Sequence, residues 1–73
     1  MSRVAVIGES SRVQGFALAG AVVYEAEDEA AVRSGWRSLP SDAQVVILTA
    51  RAAGWLGPEL AGKPGVLPVV MPR

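Results

Sequence analysis

The sequence predicts an α/β domain built on a four-stranded parallel sheet. Three observations carry this. Four short apolar runs alternate with segments of helical periodicity, the pattern of successive βα units. The opening run Val4-Ala5-Val6-Ile7 has no polar alternation, as expected of a strand covered on both faces, and Gly8 follows where the chain must turn sharply. The last run carries Pro68 between Pro64 and Pro72, and proline confines a strand to a sheet edge because it cannot donate to a ladder.

The first strand is expected over Arg3 to Ile7. Ser10 or Ser11 is placed to cap the helix that follows, since a serine oxygen can satisfy an orphan amide in the first turn. Val13, Phe16, Ala17 and Gly20 then share one face at helical spacing, with Phe16 as anchor and Gly8, Gly15 and Gly20 as turn or structural glycines. Were Phe16 fully buried, its truncation to alanine would cost about 3–5 kcal/mol. The second strand, Ala21 to Glu25, is shorter and more polar, which suits an outer position.

A second helix is expected from Asp28, its cap, to Leu39, with Val32, Trp36 and Leu39 as the buried stripe. Glu27, Asp28 and Glu29 at its start and Arg33 and Arg37 further on complement the helix dipole. Glu29 and Arg33 are spaced to pair across one turn. Gly35 within a helix hints at close packing, and Pro40 with Ser41 and Asp42 turns the chain toward the third strand. Val45 to Leu48 is the most apolar strand and takes the sheet's centre beside the first. Thr49 caps a short helix through Leu56, Gly57-Pro58 interrupts it, and a further turn covers Glu59 to Ala61. Val66 to Met71 is the last strand. Right-handed crossovers then give the order two, one, three, four, with both edge positions matching their sequences.

That order belongs to small three-layer Rossmann-like and receiver-like architectures, whose ligands bind at the carboxyl ends of the strands. A phosphorylatable receiver needs paired acids after the first strand, an aspartate after the third and a lysine after the fourth or fifth. This chain offers Glu9, then Thr49, and no lysine there. Gly8 to Gly15 lacks the Gly-Lys-Ser/Thr ending of a phosphate loop and the three-glycine dinucleotide fingerprint, so a tight turn with a serine cap is expected, with at most weak anion contact at Ser10, Ser11 and Arg12. No acid, base and nucleophile converge elsewhere, so neither catalysis nor a bound cofactor or metal is expected.

Composition narrows the classes further. A chain of 73 residues makes one domain, and one of this size buries only about 60 % of the surface its unfolded form exposes. Cysteine and histidine are absent, which removes disulfides, thiolate metal sites and the commonest general base. Lysine plus arginine equals aspartate plus glutamate, 7 against 7, which does not suggest nucleic acid or an anionic membrane. No apolar run approaches the roughly 18 residues of a membrane span. A soluble, cytoplasmic protein is expected. Trp36 reads as core. Trp55 with Leu56, in a short broken helix, reads as a partner contact, because tryptophan is enriched at interface hot spots.

The segment Val6-Ile7-Gly8-Glu9, followed by Gly15-Phe16-Ala17-Leu18-Ala19-Gly20, resembles the amino-terminal domain of the F subunit of the archaeal and vacuolar-type rotary ATPases. Val46-Ile47-Leu48-Thr49 with Arg51 is similar to that family's third strand and Thr-Glu-Arg turn, Ala50 replacing the acid. Leu67-Pro68-Val69-Val70 ending in Met71-Pro72 is similar to its fourth strand and Ile-Pro finish. Glu9 stands where the family commonly has aspartate, and Ala17 where it often has arginine. The resemblance implies a non-catalytic central-stalk component of a proton- or sodium-translocating ATP synthase or ATPase, docked on the shaft subunit and peripheral to the membrane. The family's carboxyl-terminal regulatory helix has no counterpart in residues 1–73, so the fourth strand and the face around Val66, Val69 and Met71 are expected to lack a cover. A homodimer or a stalk contact through that side is the expected consequence. The alternative is a free-standing receiver-like or Rossmann-like interaction module without phosphotransfer.

Overall fold

The computed structural model describes residues 3–72, with Leu18 and Ala19 through their backbone alone. Strand β1 (Arg3–Gly8) leads into helix α1 (Ser10–Val13), which tightens into a 3-10 segment over Gln14–Ala19 before strand β2 (Val22–Glu25). Helix α2 (Glu29–Arg37), strand β3 (Ala43–Leu48), helix α3 (Ala50–Leu56), a second 3-10 segment over Gly57–Ala61 and strand β4 (Leu67–Val70) complete the chain. Every pairing is parallel and the order is β2-β1-β3-β4, the expected one.

Register divides the sheet into two unlike faces. Ala5 stands opposite Val46 and Ile7 opposite Leu48, and these four join Val32 and Trp36 of α2 and Ala52, Ala53 and Leu56 of α3 in one apolar core. Strand side chains alternate, so Val6 lies on the other face, where α1 and its 3-10 continuation pack on β1 and β2. Val13 is the buried residue of α1 there. The β3–β4 half of that second face, made by Val45, Ile47, Leu67 and Val69 with Val4 of β1 beside them, stands open. Leu67 is 61% exposed, Val69 43% and Val4 40%.

Local chemistry explains the element ends. Asp28 caps α2 as expected, its carboxylate accepting from the Ala31 amide at 2.8 Å, and Thr49 caps α3 by accepting from the Ala52 amide at 3.3 Å. Gly35 is buried where a Cβ would meet Tyr24 Cβ at 3.3 Å, so its presence in the helix does reflect close packing against β2. Arg33 ties α2 to the next elements: it pairs with Glu29 at 3.0 Å and with Glu59, and donates to the Trp55 carbonyl at 3.0 Å.

Several expectations are corrected. Neither Ser10 nor Ser11 caps α1. Glu9 holds the capping position without a side-chain bond to the helix amides, and the Ser10 amide instead donates to the Glu27 carboxylate at 2.8 Å, a partner seventeen residues away. The first helix keeps only one α turn, and of its expected apolar face Val13 is buried, Phe16 half-buried, and Ala17 and Gly20 exposed. Phe16 is therefore no core anchor, and its truncation costs less than a buried phenylalanine would. Gly20 does terminate the segment, at φ +86 in the left-handed region that glycine tolerates, while a Cβ at Gly15 would meet only open space. Helix α2 stops at Arg37, before Leu39, because Pro40 disfavours helical backbone at Leu39, and the Ser38 amide closes the last turn on the Ser34 and Gly35 carbonyls.

Candidate functional site

Two places on the surface are built differently from the rest. The first is a cleft of about 480 Å³ at the carboxyl ends of β1 and β3, lined by Glu9, Arg12, Ala50 and Arg51. It lies where the strand order reverses, the usual ligand position in an open α/β sheet. The Thr49 hydroxyl, buried beneath it, donates to Glu9 Oε1 at 2.5 Å, and the other carboxylate oxygen of Glu9 lies 3.8 Å from the Arg12 guanidinium. Arg51 stacks over the Trp55 ring at 5.0 Å.

The Thr49 hydrogen bond is the main reason the Glu9 carboxyl is held below its ordinary value of 4.5, with Arg12 and Arg51 assisting and partial burial opposing. A depressed carboxyl stabilises the fold above its unfolded pKa and loses that contribution as pH falls through the folded value. Urea unfolding of the wild type and Glu9→Gln should therefore show a stability gap at pH 6 that narrows as the pH is lowered below the ordinary glutamate value. A gap that stays constant with pH would show that Glu9 contributes by packing alone.

The cleft lacks the parts of a phosphotransfer site. Thr49 and Ala50 follow β3 where an aspartate would be needed, and Met71 follows β4 where a lysine would be. The first amide of α1, which could have met an anion, is already bonded to Glu27.

The second place is the open half of the sheet. Of the expected contact residues, Val69 and Met71 belong to it, because their parity along the strand matches Leu67. Val66 does not. It packs half-buried against the core beneath α2 and α3, on the opposite face. Leu56 is 1% exposed and belongs to that same core, so it is removed from the contact candidates. Trp55 is half-buried on α3, also on the helix-covered side, and therefore cannot share one flat surface with Val69 and Met71. Leu67 and Val4 on this face, and Val70 on the opposite one beside Leu48, are exposed apolar residues absent from the sequence-based expectation. The register that pairs Leu67 with Val45 and Val69 with Ile47 sets one apolar stripe across two strands, and sequence alone does not give it.

The outer edge of β4 has its own character. The Met71 amide donates to the Leu48 carbonyl at 2.8 Å, which points the backbone groups of residues 67, 69 and 71 toward β3 and those of Pro68, Val70 and Pro72 outward. Two of those three outward residues have no N–H, and the Val66 amide is turned into a bond with Lys63. Val70 alone offers a strand donor there, so this edge resists strand pairing although its side chains are apolar.

No family model matches the sequence, and no curated protein matches it either. Among solved structures the chain is similar to the crystal structure of the F subunit of the V-type ATP synthase from Archaeoglobus fulgidus, with a TM-score of 0.77 and 26% sequence identity. The likeness covers 97% of this chain and 98% of that one.

Proposed function

We propose that this chain is a non-catalytic component, akin to the F subunit, of the central stalk of a V-type or archaeal-type rotary ATPase that translocates protons or sodium ions, and that it docks on the shaft subunit. The likeness to the archaeal F subunit over nearly the whole of both chains carries this reading. Thr49 and Ala50 standing after β3, where phosphotransfer would need an aspartate, are consistent with a docking role. Among the described residues no helix is long and apolar enough to cross a membrane, which fits attachment through another subunit on the cytoplasmic side.

The open β3–β4 half of the sheet is the docking surface that this reading favours. Trp55 on α3 is the competing surface, and a homodimer through the β4 side is the competing use of the open half. Pull-down of the purified shaft subunit with wild type, Met71→Glu and Trp55→Ala separates them. A stable wild-type complex weakened by Met71→Glu and kept by Trp55→Ala is the expected result. Loss in Trp55→Ala alone would move the contact to α3. No complex with the wild type would sink the stalk assignment and leave a free-standing interaction module.

A further inference from the structure

We infer that the open half of the sheet receives an amphipathic helix of another protein, laid face-on over Val45, Ile47, Leu67 and Val69, with an acidic side chain at the end that reaches Arg12 and Arg51. This rests on reading the chain as a docking component. Strand addition is disfavoured, because β4 presents Pro68 and Pro72 at two of its outward positions and only Val70 as a free strand donor. Face-on packing is favoured by width. Two strands about 4.8 Å apart, with their side chains, offer a strip about 10 Å across, close to the diameter of one helix. The rest of that face is already taken by α1 and its 3-10 continuation.

Charge sets the direction. The cleft at the carboxyl ends of β1 and β3, toward which Ile47 and Val69 lead, holds the guanidiniums of Arg12 and Arg51. Its one carboxylate, Glu9, is held ionised by the Thr49 hydroxyl and nearby arginines and offsets only one of those two positive charges. Arg12 is 3.8 Å from Glu9 at best, and Arg51 has no carboxylate partner among the described residues. The cleft therefore keeps a positive excess that an acidic side chain complements. A second copy of this chain has no helix to offer in return: the apolar faces of α2 and α3 lie in its own core, and Val13 of α1 is buried.

The test titrates the isotope-labelled full chain with a stapled helical peptide carrying leucines along one face and a pair of glutamates at one end, and with its lysine-ended counterpart. Amide shifts should map to Ile47, Leu67 and Val69, and the glutamate peptide should bind roughly tenfold more tightly. Leu67→Lys, at an exposed position that folding tolerates, should weaken both peptides by roughly tenfold or more, and Arg51→Glu should invert the preference between them. Equal affinities, or shifts confined to α2 and α3, would overturn the inference. The pull-down keeps the two readings apart. A shaft complex indifferent to Leu67→Lys and Arg51→Glu removes this inference and leaves the stalk assignment standing. Peptide binding without a shaft complex does the reverse.

Discussion

Trp36→Ala should cost about 3–5 kcal/mol and leave much of the population unfolded at room temperature. The indole is 4% exposed in the core shared by β1, β3, α2 and α3. It also anchors the chain after α3: the Lys63 ammonium lies 5.4 Å from the ring and donates to the Trp36 carbonyl at 2.5 Å. For a chain of 73 residues total stability is on the order of 4–11 kcal/mol, so the loss is a large share of it. Trp55→Ala is the internal control. That ring is half-buried against the core's margin and should cost clearly less. Urea unfolding followed by far-ultraviolet circular dichroism measures both, and equal losses for the two tryptophans would refute the assignment of Trp36 as the central residue.

Gly8→Ala should be nearly as damaging, about 3 kcal/mol, the upper part of the range for overpacked sites. A Cβ on Gly8 would sit 2.3 Å from Thr49 Cγ2 and 2.8 Å from Thr49 Oγ1. Thr49 cannot easily yield. Its amide donates to the Ile7 carbonyl, its own carbonyl accepts from Ala53, and its hydroxyl is shared between the Ala52 amide and Glu9. Thr49→Ser deletes the nearest atom and retains the hydroxyl. In that background the cost of Gly8→Ala should fall by about 1 kcal/mol or more, a coupling that a double-mutant cycle reads directly. Additive costs would mean that the overlap is relieved by some other movement.

What the sequence made legible was the part decided locally. Uninterrupted apolar runs placed β1 and β3 in the middle, Pro68 placed β4 at an edge, and Asp28 and Thr49 announced their helices because a short polar side chain before an apolar stripe has few other uses. The failures were decided partly at a distance and partly by which face of an element a residue takes. Ser10 and Ser11 had the right chemistry to cap α1, but Glu27 reached its first amide from another loop. Leu56 follows Trp55 in sequence and looked equally available, yet helical rotation carries it into the core. Val66 and Val69 looked like one surface, and the two-residue alternation of β4 puts them on opposite sides. The Gly8–Thr49 contact that supports the cleft joins the ends of two strands, and neither residue announces the other. The open half of the sheet was foreseen as a missing cover, but its extent emerged only from the register of β4 on β3.

The central pair of the sheet also constrains the order of events in folding. Glu9 and Thr49 are forty residues apart in sequence, and β1 lies between β2 and β3. In chain order β1 precedes its principal neighbour β3 by both intervening crossovers, so one ladder edge of this apolar segment stays vacant until β3 is in place. Such long-range pairing must meet the entropy of loop closure before its contacts form, which makes folding slow for a chain of this length compared with a helical bundle. The chain is thus most exposed to misassociation before β3 docks on β1, and the β4 edge, with its prolines, gives no protection to that vacancy.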